Sequence, residues 1–269
     1  MDSLIYSKRY FTHRGISLQL KLEAFTVENI PLIKNGDDLA GIICDNTEIQ
    51  DNDIVVIAST VVSKSEGRTF TLDNITPSRR ALEIAYKNGE DPRFTQAVLD
   101  RSRECLVGSP ILLVETFNGH VCIKAGIDDS NVENGLLLEL PADPDASAKQ
   151  IAGEIWKLTS KRVSVVITDT NGRAFKIGQT GVAIGVSHIV PIKDWCGEED
   201  LFGKVLEITE EGVADEIAGT ANLLMGEGDG GNPVVIIRGL VMYVDTDVTI
   251  KDTYRSGGED IIRKGLRSL

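Results

Sequence analysis

Three acidic stretches, far apart in the chain, hold the residues best suited to chemistry. In residues 163–173 (VSVVITDTNGR) a run of apolar and small side chains breaks into Thr168, Asp169, Thr170, Asn171 and Gly172. The run reads as a strand buried on both faces. Asn171-Gly172 reads as the turn that ends it, which leaves Asp169 and Thr170 on a rigid base at a strand end. In residues 121–131 (VCIKAGIDDSN) an alternating strand runs out into Asp128, Asp129 and Asn131. The third stretch, residues 226–233 (GEGDGGNP), places Glu227 in a glycine-rich loop just after a helix. A helix C-terminus carries partial negative charge, so this loop suits a metal or base ligand better than an anion. Strand-end carboxylates hold hard cations well, and Asp128 and Asp169 point to one shared metal site. Singly, each acid also fits a cap or turn former, and the glycine loop fits a surface turn.

Composition narrows the chemistry. The 269 residues are 42% hydrophobic and 26% charged, ordinary for a globular chain with a sizeable core. Basic residues number 28 against 41 acidic, for a net charge of −13, which disfavours non-specific binding to nucleic acid or anionic membrane. An anionic substrate then needs bound cations and local Lys or Arg to reverse the sign inside a cleft. No apolar run is long enough to cross a bilayer, and the N-terminus lacks the apolar segment of a secretory signal. The expected location is the cytoplasm. Cys44, Cys105, Cys122 and Cys196 lack C-x-x-C spacing, and His13, His120 and His188 are not paired. A metal here is therefore Mg²⁺ or Mn²⁺ on oxygen ligands rather than Zn²⁺.

Several elements must position these residues. Residues 16–25 alternate as a half-buried strand after a polar lead-in, and Asp37 or Asp38 caps a helix over 39–44. Residues 53–58 (DIVVIA) form a buried strand that runs into Ser59, Thr60 and Lys64, with Gly67 and Arg68 beyond. Hydroxyls and a lysine after a buried strand suit phosphate recognition; a polar edge strand is the competing reading. Helices are expected at 76–87, closed by Gly89, at 92–105, at 146–160 and at 210–225, ending at Gly226. Arg79, Arg80, Arg101 and Arg103 read as solvated faces or ion-pair partners. Residues 111–117 and 120–127 form a hairpin across Asn118-Gly119, with His120 at the surface. The Pro-rich stretch 141–144 is a possible domain boundary. Gly178, Gly181 and Gly185 mark strands where backbones approach closely. Trp195 sits in a charged turn, residues 234–238 form another buried strand, and the tail ends in a basic helix.

Six segments taken in order, IPLIKNGDD, STVVSKSEGR, AGIDDSNVENG, VITDTNGRAFKIGQTGVAIG, KDWCGEEDLFG and ANLLMGEGDGGNPVVIIRG, closely resemble the GTP-dependent coenzyme F420-0:γ-glutamyl ligases. The resemblance runs from about residue 20 to the C-terminus. Residues 1–19 are then an N-terminal extension, and 20–269 the ligase domain in its stand-alone form. It implies an α+β fold with mixed sheets and packed helices in two interleaved subdomains, a homodimer, and GTP-driven addition of L-glutamate to F420-0. By matching position the nucleotide is held by Ile30, Pro31, Leu32 and Ile33, by Ser59, Thr60 and Lys64, by Asn131, and by Met225, Gly226, Glu227, Gly228, Asp229, Gly230, Gly231 and Asn232. Asp128 and Asp169 hold one Mg²⁺ or Mn²⁺, Thr170 and Glu227 a second, with K⁺ as helper; Lys64 serves as a point charge on phosphate. Asp128, Asp169, Glu227 and Lys64 are the expected catalytic set. Phosphoryl transfer needs positioning and charge neutralisation more than a side-chain nucleophile, which agrees with the lack of a Ser-His-Asp or Cys-His pattern. A metal-dependent phosphohydrolase built on the same carboxylates and a non-catalytic GTP-binding regulator are the alternatives.

Overall fold

The computed structural model describes residues 21–256 and 258–268. The start of the strand expected over 16–25 and the N-terminal extension lie outside them. Five strands make the main sheet, in the order Glu23–Thr26, Val234–Arg238, Ile54–Ala58, Ser164–Arg173, Lys176–Ser187. Pairing is antiparallel throughout except between Ile54–Ala58 and Ser164–Arg173, which run parallel. The interior strands are apolar on both faces because both are covered. Val55, Ile57, Val165 and Ile167 point to one side, with the helices Leu39–Asn46 and Pro144–Thr159. Ile54, Val56 and Val166 point to the other, under the helix Val213–Met225. Successive side chains alternate across the sheet, so one short strand feeds two apolar layers.

The α+β content expected from the sequence is present. Asp38 caps the helix Leu39–Asn46 through Gly41 N–H, while Asp37 accepts from Lys34 N–H instead. Ser78 caps Arg79–Asn88, and Gly89 closes it with φ 69°. Gly181 and Gly185 permit close approach: a Cβ would stand 2.5 Å from the Ala218 carbonyl oxygen at the first and 2.4 Å from Pro144 at the second. A smaller sheet, Ser102–Val107, Leu113–Thr116 and Val121–Ile123, sits on its own apolar cluster of Val98, Leu112, Val114 and Ala125. The last helix, Ile261–Arg267, is tied to that sheet by Arg263 and Arg267, which pair with Glu104 and Glu115. Arg79, Arg101 and Arg103 likewise meet Glu83, Glu139 and Glu115.

Six local readings are corrected. Asn171-Gly172 does not end the central strand: both stay paired, with Thr180 and Gln179, and the hairpin turns beyond Arg173, where Phe175 takes φ 62°. Pairing with a long partner outweighs a local turn preference. The helix from Pro92 stops at Asp100 because Ser102–Val107 is recruited to the small sheet. The helix expected from 210 starts at Val213, since Glu210–Glu211 pairs with Lys193–Asp194. After Val121–Ile123 the chain breaks into a 3₁₀ turn with Lys124 and Ala125 at positive φ, rather than continuing as a strand. Ser59–Ser65 is a helix rather than an edge strand, and His120 is 7% exposed rather than a surface residue. Trp195 donates its indole N–H to Glu211 at 2.7 Å, with the Lys193 ammonium over its ring at 3.3 Å.

Candidate active site

The parallel pair assembles the site. Ala58 is aligned with Thr168, the last rung of the parallel pairing, and just beyond it Ser59, where the first strand ends, meets Asp169, where the second runs on. The Ser59 hydroxyl donates to Asp169 Oδ1 at 2.9 Å. The carboxyl ends of strands at such a junction are the usual place for ligands in α/β layers. Ser59 also opens the helix Ser59–Ser65, whose last turn carries Lys64, so one helix links both groups.

The other two acidic loops close on this point. Asp128 is fixed by a reciprocal backbone bridge to Leu138, at 2.9 and 2.8 Å. Its carboxylate accepts from the Ser130 N–H at 2.8 Å and the Ser130 hydroxyl at 2.5 Å. Lys64 Nζ donates to the Asn131 carbonyl at 2.6 Å, so the lysine clasps the Asp128 loop from across the cleft. From the opposite side Glu227 Oε1 accepts the Thr170 hydroxyl at 3.1 Å and the Asn222 side-chain amide at 3.0 Å. The glycine loop ends at Pro233, whose carbonyl accepts Ala58 N–H at 2.9 Å, anchoring it beside the same strand end.

Electrostatics register the convergence. Burial pushes the Asp169 carboxyl up to about 6, and the charges of Asp128 and Glu227 push it the same way. The Ser59 hydroxyl and the Thr170 N–H oppose that rise. Burial also pulls the Lys64 ammonium below its ordinary range, against the favourable charge of Asp128. Cys122 lies near Asp169, but burial and that negative charge push its thiol up, so it stays neutral and is a poor ligand. Among the described residues no three His, Cys, Asp or Glu side chains stand as a preformed metal cluster. The fit to a metal is instead in the chemistry of the donors. The carboxylates of Asp128, Asp169 and Glu227 and the Thr170 hydroxyl offer oxygen only, the set that Mg²⁺ or Mn²⁺ takes.

The remaining expected nucleotide residues flank this centre. Ile33 is buried in the core while Leu32 is 89% exposed beside it. Their loop is tied to the far end of the Ser59–Ser65 helix through Gly36 N–H to the Ser65 carbonyl, at 2.8 Å. Residues 226–231 are exposed, with positive φ at Gly226 and Gly231. Asp129 is exposed. Two residues the sequence reading did not single out hold the acids in place. Ser130 sits two residues after Asp128, the spacing of an Asx turn, a signal open to a closer reading. Asn222 is one helical turn before the glycine loop, and no local pattern marks it.

Comparison with known proteins identifies the family. Residues 28–239 match the family described as F420-0:Gamma-glutamyl ligase. The chain is 60% identical to the Coenzyme F420:L-glutamate ligase of Methanosarcina mazei over 250 residues, 93% of this chain and 98% of that protein. It is 51% identical to the protein of the same name from Archaeoglobus fulgidus over 248 residues, 92% of this chain and 99% of that one. For the Methanothermobacter thermautotrophicus protein the identity is 44% over 244 residues, 88% and 97% of the two chains. The matched span contains all three acidic loops, the strand pair that joins them and Lys64, and on that basis the chain belongs to the F420-0:gamma-glutamyl ligase family.

Proposed function

We propose that this chain joins L-glutamate to coenzyme F420-0 at the expense of GTP, giving γ-linked F420-1 and F420-2, GDP and phosphate. The observation that carries this reading is that Asp169, held by Ser59, and Glu227, held by the neighbouring Thr170, lie at one strand end, while Lys64 from the same helix as Ser59 binds the loop that carries Asp128. A binding module needs no such concentration of like charge. In the proposed sequence a carboxylate oxygen of F420-0 attacks the γ-phosphorus of GTP, and the bond to the bridging oxygen breaks to release GDP. The glutamate nitrogen then attacks the acyl carbon, the C–N bond forms, inorganic phosphate leaves, and the ammonium proton passes to solvent. Mg²⁺ or Mn²⁺ bound at these acids, two per site, supplies neutralisation of the triphosphate charge, with K⁺ as helper.

The chain's own residues do the rest. Asp128, Asp169, Thr170 and Glu227 supply oxygen donors, and Ser59, Ser130 and Asn222 hold those donors in place. Lys64 places a positive charge against phosphate while keeping the Asn131 loop closed. Residues 30–33, Ser59, Thr60, Asn131 and the loop 225–232 form the proposed cradle for GTP. We also assign a homodimer: the hairpin tip leaves Phe175 and Ile177 fully exposed, and apolar side chains left so are commonly covered by a partner. The separate apolar cluster of the small sheet supports two interleaved subdomains. Among the described residues no helix is long and apolar enough to cross a membrane, which is compatible with a cytoplasmic enzyme. Mass spectrometry of F420-0 incubated with GTP, glutamate and Mn²⁺ tests the reading. Gain of one or two glutamyl masses is expected; phosphate release that needs neither F420-0 nor glutamate identifies a phosphohydrolase instead.

A further inference from the structure

Beside the acidic centre lies a second cavity, of about 1040 Å³, at the large end of small-molecule sites. It shares strands with that centre. Asn171, two residues beyond Asp169, lines it and donates to the Val121 carbonyl at 3.1 Å; Val182, the cross-strand partner of Asp169, lines it too. The floor holds polar atoms with nothing to bond. His120 is 7% exposed, and among the described residues neither its Nε2 nor the buried Tyr254 hydroxyl has a hydrogen-bond partner. A buried polar atom left in this way loses its hydration without compensation, a cost that a bound ligand removes. Burial pushes the His120 imidazole down to about 4, so at neutral pH it is an uncharged hydrogen-bonding group.

The rim is charged, but not with one sign. Cationic and acidic side chains line the cavity in equal number, four of each. Arg103 and Arg263 are already engaged with Glu115. Among the described residues the Lys251 ammonium and the Arg255 guanidinium make no ion pair or side-chain hydrogen bond. Asp215 takes Ala183 N–H on one oxygen at 2.9 Å and is otherwise open. Two free cations beside a free carboxylate match a zwitterion with two carboxylates. A polyphosphate needs an excess of positive charge that this lining lacks.

We infer that this cavity is the subsite of the incoming amino acid. Lys251 and Arg255 take its two carboxylates, Asp215 takes its ammonium, and His120 and Tyr254 bond to it from the floor. The inference rests on the ligase reading and places the incoming nucleophile beside the phosphoryl-transfer acids, along the strand that carries both Asp169 and Asn171.

The test is steady-state ligation by full-length Lys251→Ala, Arg255→Ala and the near-isosteric Tyr254→Phe, with KM measured separately for glutamate, GTP and F420-0. Glutamate binding by equilibrium dialysis runs in parallel. Expected is a rise of roughly 10-fold or more in glutamate KM for each cation variant, with GTP and F420-0 KM within about twofold of wild type. Tyr254→Phe, which keeps the ring, is expected to raise glutamate KM several-fold. A wild-type glutamate KM in all three variants overturns the assignment, and so does a rise confined to F420-0, which gives the cavity to the acceptor's tail. A wild-type protein that binds glutamate but forms no product overturns the ligase reading and leaves the cavity assignment standing.

Discussion

Replacing Asp169 by Asn is expected to abolish turnover and yet stabilise the metal-free protein. Burial among like charges pushes the Asp169 carboxyl up to about 6, against roughly 3.9 for an unperturbed aspartate. At ~1.36 kcal/mol per pH unit the gap corresponds to about 3 kcal/mol. The sign follows from proton linkage. The folded state holds the proton more tightly than the unfolded chain, so this group's contribution is complete below about pH 4 and is lost as pH rises through about 6. An amide has no such ionisation, and its Oδ1 still accepts the Ser59 hydroxyl. Urea unfolding followed by circular dichroism, with a chelator present, measures the difference. At pH 8 the variant is expected to be more stable by roughly 1–3 kcal/mol, and at pH 5 by about half as much. In the same preparations Mn²⁺ is expected to raise the melting temperature of wild type and not of the variant. A less stable variant at pH 8, with a difference from wild type that does not change with pH, refutes the claim that Asp169 is held charged among acids. Wild-type turnover at saturating Mn²⁺ refutes its place at the metal.

Lys64→Ala is expected to weaken GTP binding by roughly 10-fold, measured by calorimetry, since it removes a charge-assisted contact to phosphate; unchanged affinity returns Lys64 to the scaffold. Glu227→Gln is expected to lower kcat by about 100-fold or more while the fold persists, because it deletes one of the charges facing the nucleotide's cations; activity assays and circular dichroism together check both halves. Chelation of divalent ions is expected to stop product formation, and added Mn²⁺ to restore it, in the same ligation assay. Arg263→Ala is expected to cost roughly 1–3 kcal/mol in urea unfolding, because it removes one of the two guanidinium partners of the buried Glu115 carboxylate and leaves it Arg103 alone; a loss below about 1 kcal/mol removes the last helix from the set of structural anchors.

The sheet was readable where burial is two-sided. Ile54–Ala58, Ser164–Arg173 and Val234–Arg238 announce themselves as apolar runs, and the helix ends at Asp38, Ser78 and Gly89 announce themselves as caps. What local pattern hid was the partner. Asn171-Gly172 carries the residue types of a turn, yet remains extended because Lys176–Ser187 is long enough to pair with it. Ser102–Val107 continues the helical spacing before it, but a waiting strand edge claims it. The same limit applies to the site. Asp128, Asp169, Glu227 and Lys64 stand at element ends and draw notice one by one, whereas Asn222 acts through a contact made across the fold. His120 looked like a turn-flanking surface residue because the tail that covers it, with Tyr254 and Arg263, comes more than 130 positions later.

The parallel pairing of Ile54–Ala58 with Ser164–Arg173 also governs when the molecule becomes competent. Its two strands are separated by more than a hundred residues, and Val234–Arg238 must still arrive from further along to complete the sheet on the other side. Closing loops of that length is slow, and little native contact rewards the chain beforehand. A nascent polypeptide emerging from the ribosome therefore has no partial catalyst to offer. Ligand capture during refolding should appear in step with the final collapse of the sheet rather than with early helix signals, so that substrate binding itself reports that the whole chain has reached its native state.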